Sequence, residues 1–269
     1  MDVKKVLYVS QEIEPYLPAN ALSTFGRSLP QAMLEKGAEV RTFMPKYGNI
    51  NERRNQLHEV IRLSGLNIPI DDTDHPLLIK VATLQPSRLQ VYFIDNDDYF
   101  MRHQSGKLET EHDAAANDER SIFFVRGTGE TVKKLRWEPS IVHCTGWITA
   151  LTPLYLKTVF ADDPVFRNTK IVYSLFDYDF EGTLDGRMAE KLRADGIPAE
   201  ALAALGADGT PVDAMMLHKL AIDHADAIAV SSEGIPAEII EYAKASGKPV
   251  LDFPGEGNAE AYRDFYQSL

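Results

Sequence analysis

The side chains able to do chemistry in these 269 residues are scattered, and their spacing decides how each is read. His143 closes a short apolar run and is followed by Cys144, Thr145, Gly146 and Trp147. A histidine in that place can carry a proton or hydrogen-bond a ligand, and it serves equally well as a hydrogen-bonded residue at a strand end. Cys144 has no patterned base and orienting group around it, as an activated nucleophile needs. It reads as a small buried residue. His218 and His224 stand six apart rather than at the i,i+4 spacing that puts two imidazoles on one helix face. The aspartates 71, 72 and 74, and 95, 97 and 98, supply oxygen donors of the kind calcium takes, but without the glycine and terminal glutamate of a calcium loop. They read as solvated turns. Gly127-Thr-Gly129 and Gly255-Glu-Gly257 lack the third glycine or the lysine of a phosphate-cradling loop. No cofactor and no metal are expected. Trp147, Tyr16, Tyr47 and Tyr178 offer flat faces suited to the C–H patches of sugar rings, and the same four rings suit ordinary packing.

These residues must be placed by elements whose apolar pattern alternates between short runs and helical spacing. Residues 3–10, 38–44, 141–144, 170–175, 227–231 and 249–253 read as strands. Leu22, Phe25, Leu29, Met33 and Leu34 recur at helical spacing, with Gly37 as a stop. Residues 119–135, 149–160, 213–224, 235–245 and 259–268 read as further helices, with Pro153 in a first turn or at a kink. Residues 57–95 contain three β-like stretches (57–63, 77–84 and 89–94) parted by DDTD and QPS, an inserted antiparallel meander. Residues 95–118 read as a polar surface loop, and 181–210 as short helices at best. Strand–helix alternation implies an α/β fold, a Rossmann-like, doubly wound and mainly parallel sheet over residues 1–269. Ligands of such sheets sit outside the carboxyl ends of the strands. The loops to watch are therefore 11–21, 45–51, 145–147 and 176–182.

Composition narrows the partners. Twenty-eight basic against forty acidic residues leave a net charge of −12. That balance disfavours nucleic acid and anionic membrane surfaces. No apolar run approaches the ~18 residues of a membrane span. The amino-terminal stretch reads as a first strand rather than a signal peptide. The lone Cys144 excludes an intrachain disulfide, and the cytoplasm is the expected compartment.

Taken in order, several segments resemble one family. KKVLYVSQEIEPYL is similar to the first strand and Glu-x-x-Pro-[Phe/Tyr] loop of the glycogen and starch synthases, the family 5 retaining glycosyltransferases. LSTFGRSLPQAMLEKGAEVRTFMPKYG resembles the helix and second strand that follow, and NDERSIFFVRG the Asp-x-x-Arg-Phe segment. PSIVHCTGWITALTPLYLK resembles the Pro-Asp-[Ile/Val]-Val-His-x-His-Asp-Trp signature, and AMMLHKLAIDHADAIAVSS the later Ala-Asp-x-[Val/Ile]-x-Thr-Val-Ser segment. The wording of residues 50–82 looks most like short stand-alone homologues of Bacteroidetes type. The resemblance implies the amino-terminal half of a GT-B fold. It also implies glucosyl transfer from ADP-glucose or UDP-glucose to an α-1,4-glucan.

The departures fall on chemistry-bearing positions. The family's Lys-x-Gly-Gly-Leu loop aligns with Pro18-Ala19-Asn20-Ala21-Leu22, so the cation and both glycines are replaced. Thr145 stands at the second His of the signature, Gly146 at its Asp, and Ser174-Leu175-Phe176-Asp177 at the Thr-[Ile/Val]-His-Asn motif. A complete synthase needs a second Rossmann-like domain, so the expectation is a transferase domain incomplete or inactive alone, with a partner chain supplying that domain. The alternative is a non-catalytic glucan-binding or regulatory module of glycogen metabolism. No catalytic residue is assigned. The candidates to contact α-glucan or sugar nucleotide are Glu14, Tyr16, Asn20, Lys46, His143, Thr145, Trp147 and Asp177.

Overall fold

The computed structural model of the chain describes residues 5–101 and 116–269. Its centre is β1 (Lys5–Ser10), a run of buried β-branched and aromatic residues that pairs in parallel with β2 (Glu39–Pro45) on one side and β7 (Ile141–Thr145) on the other. β8 (Lys170–Leu175), β9 (Ala227–Val230) and the two-residue β10 (Val250–Leu251) extend the parallel run outward from β7. β1, β7, β8 and β9 are buried on both faces, as parallel strands under helices must be, and β10 at the edge is half-buried.

On the other side, β6 (Leu89–Asp95) pairs in parallel with β2, then β5 (Thr73–Leu84) antiparallel with β6, and β3 (His58–Glu59) with β5. The order is β10-β9-β8-β7-β1-β2-β6-β5-β3. The third stretch of the expected meander is thus itself a strand of the main sheet. Two details of that region differ from the sequence reading. Residues 57–63 pair only at His58 and Glu59, and an unexpected strand β4 (Leu66–Ile70) pairs with β5 off the main path. Pro69 argues against a strand when met in sequence, and an edge strand tolerates it. The acidic run is the hairpin turn: Ile70 faces Thr73, and Asp71 and Asp72 between them both take positive φ, 44° and 63°. A two-residue loop whose twist matches the strands requires that conformation.

Helix α1 (Ala21–Glu35) covers one face, starting from a capping box between Asn20 and Ser23. It is followed in chain order by α2 (Asn117–Leu135), α3 (Thr152–Lys157), α4 (Met188–Ala194), α5 (Ala214–His224), α6 (Ala237–Ala245) and α7 (Ala259–Ser268). Pro153 lies in the first turn of α3. Of residues 95–118, read in sequence as a polar surface loop, the described ends 95–101 and 116–118 are largely packed inward. Asp95, Asn96, Tyr99 and Phe100 are buried, with a π-helical turn at Asp97–Met101, and Asp118 is buried at the start of α2. Residues 102–115 lie outside the described residues. The burial of Asp118 has a partner: Lys191 of α4 places Nζ 2.8 Å from its Oδ2, 2.7 Å from Glu119 Oε1 and 3.1 Å from Asp185 Oδ2. No described helix is long and apolar enough to cross a membrane.

Candidate active site at the carboxyl edge of the sheet

The loop after β1 is anchored from below and from the side. Gln11 N–H donates to the Thr145 carbonyl at 2.9 Å, and Glu14 N–H to the Ser23 carbonyl at 3.0 Å. Gly26 of α1 makes the approach feasible, because a Cβ there would lie 2.3 Å from the Glu12 carbonyl oxygen. Asn20 serves two elements. Its Oδ1 accepts from Ser23 N–H at 2.7 Å, and its Nδ2 donates to Glu12 Oε2 at 2.7 Å. Both its amide oxygen and its amide nitrogen are therefore used within the protein.

His143 lies at the middle of β7, on the face covered by α1 and α7, with no solvent exposure. Its ring stacks on Tyr8 (5.6 Å between centroids) and meets the edge of Phe25 at 5.9 Å. Tyr266 of α7 bonds Nδ1 and Ser174 bonds Nε2. Ser231 Oγ–H donates to Ser174 Oγ at 2.9 Å, and Tyr262 donates to Ser231 Oγ at 2.8 Å. Ser174, already accepting, has its own proton to give Nε2. Nδ1 then carries the imidazole proton and donates to Tyr266, whose hydroxyl lies 3.3 Å from that of Tyr8. Burial pushes the His143 pKa down to about 3, so the ring is neutral at ordinary pH.

The other predicted residues spread widely. Thr145 is buried beside Ser10, its register partner on β1, and neither hydroxyl finds a partner. Trp147 is buried edge-on against Phe180, and Tyr16 edge-on against Phe93, each with centroids 4.9 Å apart. Gly146, between Thr145 and Trp147, has φ 91° and ψ 154°, a conformation essentially restricted to glycine. Glu14 accepts from Thr24 at 3.3 Å and stands 3.7 Å from Arg27. Lys46 is not a free cation: it is buried, 2.9 Å from Glu52 Oε1, which Lys80 also reaches at 2.7 Å while holding Asp95 at 2.7 Å. Asp177 is exposed, with its N–H donating to Ser232 Oγ at 2.8 Å. Asp71 pairs with Arg187 at 2.7 Å, and no group of three His, Cys, Asp or Glu among the described residues can hold a metal ion.

A cavity of about 750 Å³ opens between α1 and the chain after β10, floored by the loops that leave β8 and β9. Its volume falls within the range of roughly 300–1,000 Å³ common for small-molecule sites. It lies where a ligand of a parallel sheet belongs. Of the eight predicted residues only Asn20 lines it. Its rings are Phe25, Phe176, Phe253 and Tyr262, none of them among the aromatics singled out in the sequence. Phe25 and Tyr262 carried a signal, as inward positions of amphipathic helices. Phe176 stands where the resemblance puts a histidine. Nothing local marks Phe253, which arrives through the return of the chain after β10.

Comparison with known proteins fits this architecture. Residues 5–251 match the family model described as the starch synthase catalytic domain. The glycogen synthase of Chlorobium limicola is 39% identical over 239 residues, 88% of this chain and 47% of that protein. The glycogen synthase of Chlorobium chlorochromatii is 41% identical over 196 residues, 72% of this chain and 40% of that protein. The chain thus spans about half the length of the curated relatives it matches. A solved catalytic domain of starch synthase IV from Arabidopsis thaliana, bound to ADP and acarbose, superimposes with a TM-score of 0.74 at 21% identity. That superposition covers 94% of this chain and 51% of the other, and shows the shared fold. On the extent of these matches and the strand order described above, the chain belongs to the starch synthase catalytic domain family.

Proposed function

We propose that this chain works in α-glucan synthesis as the saccharide-holding part of a glycogen-synthase-type glucosyltransferase. In this reading residues 1–269 act as one Rossmann-like domain in the cytoplasm. A partner chain supplies the site for ADP-glucose or UDP-glucose. The observation that carries the reading is family membership joined to a cavity at the carboxyl edge of the sheet.

Glucosyl transfer needs preorganised positive charge against the departing diphosphate. Here Pro18 stands at the family's lysine position, and Lys46 is spent on Glu52. The chain by itself therefore holds a saccharide without activating a donor. The test is incorporation of labelled glucose from each sugar nucleotide into glycogen. The chain alone is expected to give none, and addition of a nucleotide-binding partner chain to give turnover. Turnover by the chain alone overturns the division of labour. Failure of every combination to elongate or bind glucan overturns the reading.

A further inference from the structure

In a chain of net charge −12, one turn is locally basic. Between β2 and β3 the chain carries Lys46, Arg53 and Arg54 against a single carboxylate, Glu52. Lys80 reaches the same place from β5, and two ammonium groups converge on one atom: Lys46 Nζ and Lys80 Nζ stand 2.9 and 2.7 Å from Glu52 Oε1. Arg53 and Arg54, the next two residues of the turn, are exposed and form no ion pair with any described residue. The turn lies at the carboxyl ends of β2 and β6, beyond Pro45 and Asp95, at the edge where parallel sheets take ligands. It stands on the other side of β1 from β8 and β9, and none of these residues lines the cavity there.

The two kinds of charge are not held alike. Lys46 has 9% side-chain exposure and follows directly on β2, with its N–H donating to the Ile94 carbonyl at 2.9 Å. Lys80 lies within β5, between Glu59 of β3 and Phe93 of β6. The cations are thus fixed by the sheet. Glu52 keeps 40% side-chain exposure in a turn outside any strand or helix. A carboxylate so placed regains water when it swings out, so leaving costs it little. Two largely buried ammonium groups, by contrast, cannot be left uncompensated. They demand an anion at that point, and nothing requires the anion to be Glu52. A phosphate group offers the same kind of acceptor oxygens with greater charge.

We infer that Lys46 and Lys80 form a binding site for the phosphate group of a small ligand. Glu52 is its built-in competitor, seated on the two ammonium groups until phosphate displaces it. The site stands apart from the saccharide reading above and does not depend on it. The test is calorimetric titration of the whole chain and of Glu52→Gln with inorganic phosphate, glucose 1-phosphate and ADP, all at one ionic strength set with sodium chloride. Removing the competitor is expected to tighten phosphate binding at least about tenfold. Adding Lys46→Met should abolish it, in a double variant that strands no charge because Lys80 keeps Asp95. Phosphate should also raise the unfolding midpoint of Glu52→Gln more than that of the wild type, since it binds the folded state. If Glu52→Gln is unfolded in chloride, phosphate must restore its folding. The site is overturned by phosphate binding no tighter in Glu52→Gln than in the wild type, by binding that survives Lys46→Met, or by an unfolded variant that phosphate does not rescue. Preference for glucose 1-phosphate, lost with Lys46, upholds the site and identifies its ligand as a sugar phosphate, whereas equal affinity upholds it for free phosphate. ADP binding lost with Lys46 also upholds the site, and overturns the assignment of the donor to a partner chain.

Discussion

The hydroxyl of Tyr266 closes the Nδ1 side of His143 across 123 residues of sequence, so the most recognisable histidine of the chain is a structural hub rather than an open ligand. Both ring nitrogens are committed, and the groups that commit them sit on one strand, β8, and one helix, α7.

Removing the Tyr266 hydroxyl leaves a buried N–H and the Tyr8 hydroxyl short of a partner. Tyr266→Phe should therefore destabilise the fold by about 1–3 kcal/mol. Urea unfolding checks this, and a value near zero shows that the hub carries little of the stability.

The same burial sets a pH dependence. In the unfolded chain His143 titrates near 6.5, and in the folded protein near 3. Between those values the unfolded state binds the extra proton, so stability is fully present above about 6.5 and is lost as pH falls toward 3. The limiting slope is about 1.4 kcal/mol per pH unit. His143→Gln should flatten the difference in unfolding free energy between pH 7 and pH 5 relative to the wild type. Parallel pH profiles for the two proteins contradict this.

Lys191 keeps a buried carboxylate in place. Burial opposes its charge, but the hydrogen bonds it donates to Asp118 and Glu119 outweigh that and hold its pKa above the usual lysine value. Lys191→Met strands Asp118 in the interior and should cost about 3–5 kcal/mol, most of it recovered by adding Asp118→Asn. Equilibrium denaturation of the single and double variants separates a stranded charge from lost packing, since the second substitution rescues only the former.

Gly146 occupies the position of the family's aspartate. A Cβ there would lie 2.5 Å from Cβ of Gln11, on a backbone conformation that L-residues avoid. Gly146→Asp should thus lower stability by at least about 2 kcal/mol, with Gln11→Ala relieving only the overlap. A neutral Gly146→Asp in a denaturation series would show that the loop can rearrange.

The parallel core was legible because β-branched runs such as those of β1 and β8 have no other comfortable home. The hairpin strand β4 was hidden by Pro69, and the burial of Tyr99, Phe100 and Asp118 by the polar residues around them. Each of those depends on a partner far along the chain, Lys191 for Asp118 being the clearest. The site was legible only as a location. Asn20 was identified from its place in the first loop, whereas the rings of the cavity are assembled by chain topology. Lys46 looked available because its neutralising partner Glu52 becomes one only when residues 46–52 turn back toward β5 and β6.

Tyr8 and Tyr266 touch across 258 residues, which has a consequence for synthesis. The central strand leaves the ribosome long before the helix that covers its histidine neighbour. Until α7 is made the aromatic face of Tyr8, Phe25 and His143 waits uncovered, and contacts this distant in sequence are slow to form. Nascent chains stalled before residue 259 should therefore bind hydrophobic dyes and chaperones, and release them once α7 has emerged.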